Sequence, residues 1–393
     1  MPIDQRAATE VLLRVLDCPG ISCQEAAIAD VVKEVLLEAG VEPKAITHDS
    51  AHRKTPKPGQ VGNLIVKLPG RGAGKGAPRV MLSAHLDTVP ICDGCEPVKK
   101  GSKIISKNPA TGLGGDDRAG VATVLVAAID ALNSDGDHPP LTLCFFVQEE
   151  IGLQGSRNMT VSKIGRPAMA FNFDGGNPFK LTIGATGGER MHVRLTGIPA
   201  HAGLAPEEGA SAIEAAGIAI ADLNAAGWLG DVAKGRNRGT SNIGSIHGGV
   251  ATNVVAEFAE LTAEARSHNG PFRNKIAQAI ETAFKKAAKR IKTNSGVPVK
   301  AEVERRVDYE SFRLDENCEV VQRAHRAVSE LGKKPELTVS NGGVDANWIV
   351  KHGIPTVTLG CGQRNVHTKE EWLDLSDYYA ACQIARSVIT HES

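Results

Sequence analysis

The chain has 393 residues, more than one hydrophobic core usually serves, so two domains are expected. Lysine plus arginine and aspartate plus glutamate number 45 each, with no long run of one sign, which argues against nucleic acid and against an anionic membrane surface as partners. No stretch approaches 18 consecutive apolar residues and no apolar signal core opens the chain, so a soluble, cytoplasmic protein acting on a small molecule or peptide is expected.

Arg6 to Leu16 has helical spacing at Ala8, Val11, Leu12 and Val15, and Cys18-Pro19-Gly20 breaks it. A second helix is expected to start from Ser22 as N-cap, with Glu25 three residues on as in a capping box and Ala27, Val31, Val35 and Leu36 as its apolar stripe. Strands are predicted at 45–47, 63–68 and 80–84. Between the last two, Pro69 to Gly76 lacks the glycine and the hydroxyl that a phosphate loop needs at its two ends, and reads as a flexible hairpin tip.

The third strand runs into His85-Leu86-Asp87. Side chains two apart on an extended backbone share a face, so His85 can hold a metal through one ring nitrogen while a neighbouring carboxylate fixes the other. The pair can equally be satisfied loop polars, and ligands elsewhere decide. Of the eight cysteines only Cys92 and Cys95 lie close in sequence, and with no second pair to complete a zinc site they read as a loop turning on Gly94.

Asp116 and Asp117 follow Gly114-Gly115 and precede the apolar run Val121 to Leu132, where carboxylates serve either as helix caps or as ligands. The strand 141–147 delivers Gln148-Glu149-Glu150. Adjacent carboxylates after a buried strand need a partner, a metal or solvent. The strand 168–173 then ends in Asp174-Gly175-Gly176, and ligand sites in open α/β sheets lie at such carboxyl ends.

Beyond Gly187 the pattern changes to a strand at 191–195, a helix at 210–223, strands at 241–246 and 254–265, a helix at 272–291 and a strand at 297–307. That order is a split βαβ, or ferredoxin-like, unit. A helix at 317–331, a short helix opened by Asn341 to Asn347 and a strand at 354–359 follow it. The expected fold is therefore α/β, with a discontinuous catalytic domain (1–186 and 307–393) built on a mixed sheet flanked by helices, and an inserted domain at 187–306. Within the insert, His201 sits in the loop sequence Pro199-Ala200-His201-Ala202-Gly203, and Asn253 and Arg266 read either as turn and strand-end polars or as substrate contacts. Trp228, Trp348 and Trp372 read as packing residues.

Ala84-His85-Leu86-Asp87-Thr88-Val89-Pro90, Gly114-Gly115-Asp116-Asp117-Arg118-Ala119-Gly120, Glu149-Glu150-Ile151-Gly152, Asp174-Gly175, Ala200-His201-Ala202-Gly203 and Asn365-Val366-His367-Thr368-Lys369-Glu370-Glu371 together resemble the two-metal peptidases and amidohydrolases, a family that includes peptidase T, carboxypeptidase G and acetylornithine deacetylase. The pattern is most similar to the peptidase T branch, which shares the Asp-Asp-basic-Ala-Gly motif and an aspartate at the position of Asp174. The resemblance implies two divalent ions, zinc by preference. Asp116 would bridge them, His85 and Asp174 would complete one site, and Glu150 and His367 the other. It further implies that Asp87 orients His85, that Glu149 is the general base taking a proton from a metal-bound water, and that the Asp116 peptide is cis. His201 would bind the substrate carbonyl or oxyanion across a homodimer formed by the insert as lid and dimerisation domain, with Asn253 and Arg266 holding substrate. The implied activity is an aminopeptidase acting on short peptides, tripeptides among them. A deacylase or carboxypeptidase of the same fold is the alternative, and a non-catalytic metal-binding or peptide-binding relative is the alternative of another class.

Overall fold

The computed structural model describes residues 3–390, so Met1 and Pro2 of the N-terminal reading lie outside the described residues. The described residues form two compact units, one lying on both sides of the other in sequence: up to Gly184 and again from Arg313, and Ala185–Phe312.

In the first unit, Leu141–Phe146, Val80–His85, Met169–Phe173 and Thr356–Leu359 lie side by side, parallel and in that order. Leu64–Leu68 joins the free side of Leu141–Phe146 antiparallel, Ile46–His48 pairs beyond it, and Lys180–Ala185 joins Thr356–Leu359 antiparallel. The sheet is mixed, with a parallel centre. Both faces of that centre are covered, which is why its strands read as mostly apolar, and the buried polar pair Ser83 and Asn172 is hydrogen-bonded across it at 2.8 Å. Leu82, Phe145 and Phe171 enter one core with Val121, Val124 and Leu125 of the helix Gly115–Asn133, whereas Met81, Cys144 and Ala170 enter a second with Ile349 and Ile354. The helix Gly115–Asn133 is buried nearly all round, between the sheet and the helices Gln5–Leu16 and Leu375–Ser387, so its sequence shows no polar stripe. Among the described residues no helix is long and apolar enough to cross a membrane.

Two local expectations fail in this unit. The second helix is Ala26–Glu38, so Ser22 is not its N-cap, and Glu25 makes no side-chain cap bond. Its buried stripe is Ile28, Ala29, Val32, Val35 and Leu36, while Ala27 is exposed; the larger Ile28 and Val32 take the core positions. Pro69 to Gly76 is not a hairpin tip either, because Leu141–Phe146 lies between the strands it joins, and the Arg71 main-chain N–H donates to the His138 carbonyl at 2.9 Å. The Cys92 to Cys95 turn does rest on Gly94, at φ 78°, a value glycine adopts without steric cost.

The second unit is an antiparallel sheet in the order Gly230–Lys234, Asn237–Gly248, Phe258–Ser267, Gly187–Thr196, Lys300–Tyr309. Leaving aside the extra hairpin strand Gly230–Lys234, which the sequence reading lacks, the first strand of the unit lies between its last and its third, as in a split βαβ sandwich. The helices Ala212–Ala225 and Gly270–Arg290 start at side-chain caps, Ser211 accepting from the Glu214 N–H at 3.2 Å and Asn269 from the Phe272 N–H at 2.9 Å. Their Ala215, Ala219, Ile276, Ile280 and Phe284 share one core with Val193, Leu195, Leu261 and Ala263 of the sheet. Buried Glu189 is held by Arg305 at 2.8 Å and Arg273 at 3.4 Å, so its charge is paired.

Phe284 is fully buried at the centre of this core. Replacing it with alanine removes a large side chain and leaves a cavity, and is expected to lower stability by about 3–5 kcal/mol. Urea unfolding followed by circular dichroism measures this. A loss below about 1 kcal/mol would mean that the core closes around the gap, as few well-packed cores do.

Candidate metal centre

The parallel strands and the non-helical first turn of Gly115–Asn133, at Asp116 and Asp117, bring titratable groups to one end of the first unit's sheet. His85 ends its strand almost completely buried, at 2 % exposure. Its Nδ1 lies 2.9 Å from the main-chain carbonyl of Asp87, and 3.6 Å from the Asp87 carboxylate. The ring N–H is thus taken by the carbonyl, which leaves Nε2 to face Asp116 Oδ1 at 3.2 Å. The other Asp116 oxygen lies 3.3 Å from His367 Nε2, and that nitrogen lies 2.9 Å from Glu150 Oε1. Asp116 therefore offers one oxygen toward each imidazole. The peptide between Asp116 and Asp117 is cis.

The ligand atoms of His85, Asp116 and Glu150 lie within 4.8 Å of one another, and so do those of His85, Asp117 and Asp174. Asp117 is otherwise engaged: it accepts the His85 main-chain N–H at 3.1 Å, the Gly120 N–H at 3.1 Å and the Gln363 side-chain amide at 2.9 Å. On Asp174, burial and neighbouring charge dominate. Of the two, Asp174 is the carboxylate that suits a cation.

The electrostatics point the same way. Burial works against the charge of Asp116, but His367 and His85 hold it ionised below the usual carboxylate range. Burial pushes Asp174 up to about 7, helped by the Asp116 charge, and raises Glu149 and Glu150 as well. His367 is raised to about 10 by Asp116 and Glu150, and His85 is raised by Asp116 and Asp87 against the effect of burial. Carboxylates crowded this closely draw positive charge to themselves. With imidazole nitrogen and carboxylate oxygen as donors, the cluster suits divalent metal ions.

Around these groups other side chains grip the main chain. The Asp87 carboxylate accepts from the Glu149 N–H at 2.9 Å, the Glu150 N–H at 3.2 Å and Ser22 Oγ at 2.6 Å. It fixes the Glu149-Glu150 turn, and at His85 Nδ1 the carbonyl of the same residue lies nearer, at 2.9 Å, than its carboxylate, at 3.6 Å. Glu25 accepts the N–H groups of Cys23 at 2.8 Å and Gln148 at 3.1 Å. Ser22 and Glu25 thus mimic a capping box in sequence while serving the loops of the site. Glu371, four residues after His367, accepts N–H groups from Leu113, Gly114 and Asp116. Asp345 is buried with one oxygen lacking a hydrogen-bond partner, and burial pushes it up to about 7. Neither Glu371 nor Asp345 is singled out by a sequence motif that names its role; the apolar residues after Asp345 signal only a helix.

The remaining predicted residues belong to the second unit. His201 is exposed, and its Nδ1 accepts the N–H groups of Gly203 and Leu204, both at 3.2 Å, so the neutral ring carries its proton on Nε2. The Ala202 N–H donates to the Asn253 carbonyl at 3.0 Å and joins the two loops. Arg266 makes a two-pronged pair with Glu264, at 3.1 and 3.0 Å.

Known proteins are similar to this chain in sequence and in fold. The uncharacterized protein YqjE of Bacillus subtilis (strain 168) is 30% identical over 395 residues, covering 98% of each chain. The crystal structure of aminopeptidase PepT from Bacillus cereus superposes with a TM-score of 0.85 at 30% identity, over 98% of both chains. That of a tripeptidase from Staphylococcus aureus superposes with a TM-score of 0.88 at 28% identity, over 99% of this chain and 98% of the other. The sequence pattern of peptidase family M20/M25/M40 matches residues 81–391, from the strand that carries His85 to the C-terminal helix, and the chain belongs to that family.

Proposed function

We propose that the protein is a two-metal aminopeptidase that releases the N-terminal residue of short peptides, tripeptides above all. The observation that carries this reading is Asp116, with one oxygen toward His85 and the other toward His367, whose Nε2 also meets Glu150. His85, Asp116 and Asp174 would hold one ion, and Asp116, Glu150 and His367 the other. Two divalent ions bound there, zinc by the donor set, would polarise the scissile carbonyl and make water a strong nucleophile near neutral pH.

Glu149 takes a proton from the attacking water and passes it to the leaving nitrogen. Two features support that role: its raised proton affinity, caused first by burial, and the hydrogen bond by which Asp87 anchors its main chain. His201, Asn253 and Arg266 bind substrate oxygens. The aminopeptidase and tripeptidase structures at 30% and 28% identity support a substrate with a free amine, and so does aspartate rather than glutamate at position 174. All eight cysteines are free, which supports a reducing, cytoplasmic setting.

The second unit is the proposed dimerisation surface, through which His201 serves the partner's site. Exposed apolar side chains support this, with Leu204 at 81% and Val250 at 70% exposure. Mixing inactive His201→Ala with inactive Glu149→Gln subunits is then expected to restore partial activity. None restored, after proven subunit exchange, would confine His201 to its own chain.

Glu149→Gln is expected to keep two metal ions and lose about 10²–10⁴-fold in turnover, whereas Glu150→Gln loses metal itself. Elemental analysis beside steady-state rates separates the two. Equal metal content in both variants would reverse their roles.

For the substrate, kcat/KM is expected to be highest on a free tripeptide, lower on its C-terminal amide and lowest on its N-acetyl form. An acetylated peptide that proved the best substrate would replace the aminopeptidase reading with the deacylase or carboxypeptidase one.

A further inference from the structure

Glu371 lies in the loop that supplies His367, yet its side chain turns away from the ligand cluster and into the turn that presents Asp116. It is 3 % exposed. Its Oε2 accepts the Leu113 N–H at 3.0 Å and the Gly114 N–H at 2.7 Å, and its Oε1 accepts the Asp116 N–H at 3.1 Å. The Cys92 thiol approaches Oε2 at 3.6 Å. An ionised carboxylate has no proton to donate and two oxygens with lone pairs to offer, so it can accept all three of these converging N–H groups at once.

The glycines of that turn are what let it come so close. A Cβ at Gly112 would lie 2.8 Å from the Thr368 carbonyl and 3.2 Å from Glu371 Oε2, and one at Gly115 would lie 3.3 Å from Oε1. Gly114 has φ 73°, in the left-handed region that glycine enters without strain. On the far side of Asp116 the Gln363 amide donates to the Gly115 carbonyl at 3.1 Å and to Asp117 at 2.9 Å. The turn is therefore gripped through main-chain groups immediately before and at Asp116, while the Asp116 side chain stays open toward His85 and His367.

We infer that Glu371 is a positioning residue: it holds the Leu113 to Asp116 turn so that the two Asp116 oxygens face the two metal positions, and it ties that turn to the loop carrying His367. The inference rests on the two-metal reading for its consequence, though not for the clamp itself. A glutamine at 371 has one oxygen in place of two, and its amide group would point N–H at N–H. Either Leu113 and Gly114 or Asp116 would then lose their acceptor. Glu370, the exposed neighbour in the same loop, makes no such side-chain contact and serves as the control for charge removal.

The experiment uses chelator-stripped, full-length wild type, Glu371→Gln, Glu371→Asp and Glu370→Gln. Zinc affinity is measured by competition with a chromophoric chelator, and amide hydrogen exchange is measured on the metal-free proteins. Exchange over residues 111–118 is expected to speed up in Glu371→Gln, and zinc affinity to fall about 10–100-fold, the usual effect of losing a group that supports ligands. Excess zinc is expected to restore part of the lost hydrolysis, and Glu370→Gln to behave as wild type. Glu371→Asp keeps the charge on a shorter side chain and is expected to lie between, which gives a readable result should the glutamine variant fail to fold. Unchanged exchange at 111–118, or unchanged zinc affinity in a protein whose wild type binds zinc, would overturn the inference. Faster exchange in a protein whose wild type binds no zinc would keep the clamp and overturn the two-metal reading instead.

Discussion

Like charges crowded into one place are the constraint on which the rest of this structure depends. Asp116, Asp174, Glu149 and Glu150 meet His85 and His367 at one end of the parallel strands, where burial makes unpaired negative charge expensive. The imidazoles stabilise Asp116 as an anion against the effect of burial, and the nearby carboxylates raise the proton affinity of both imidazoles. Charge brought in as metal ions would take the place of those protons, which is the ordinary coupling between metal binding and proton release. The mixed sheet, the helix Gly115–Asn133 and the surrounding loops bring the groups close enough for this to happen.

The motifs that were legible in the sequence are those where local pattern and site coincide. His85 ends, and Glu149, Glu150 and Asp174 closely follow, mostly apolar strands buried on both faces, so the strand's end marks them, and Asp116 opens a helix too apolar to be a surface helix. His367 stands outside any such pattern, at φ 63° in a loop, and only the resemblance to known peptidases pointed to it. The split βαβ order of the second unit was readable from alternating strand and helix periods. Its extra strand Gly230–Lys234 was not, because glycine, aspartate and lysine fill it and only Val232 is buried.

What could not be read is pairing between residues far apart in sequence. Pro69 to Gly76 has the composition of a hairpin tip, but the distant strand Leu141–Phe146 takes the place between its flanking strands. Ser22 and Glu25 have the spacing of a capping box, a local rule, yet Ser22 is claimed by Asp87 and Glu25 by the Gln148 N–H. Glu371 reaches across 257 positions to Gly114. No periodicity encodes such contacts, and a glutamate four residues after a histidine in a loop carries no mark of the turn it will hold.

The acidic residues of this region fall into two kinds, and the hydrogen bonds tell them apart. Asp87, Asp117, Glu25 and Glu371 accept main-chain N–H groups at strand ends and turns, Glu25 through one oxygen alone. The contacts of Asp116 and Glu150 are with imidazoles instead, and for Glu149 and Asp174 burial and neighbouring charge dominate. A carboxylate already surrounded by N–H donors has its lone pairs directed and its charge delocalised over those bonds, so it has less to offer a metal and more to offer the chain. A carboxylate left without them keeps both oxygens for a cation or a proton. The same residue type thus builds the frame in one set of positions and the reactive cluster in the other, and the frame is what holds the cluster's imidazoles and carboxylates face to face.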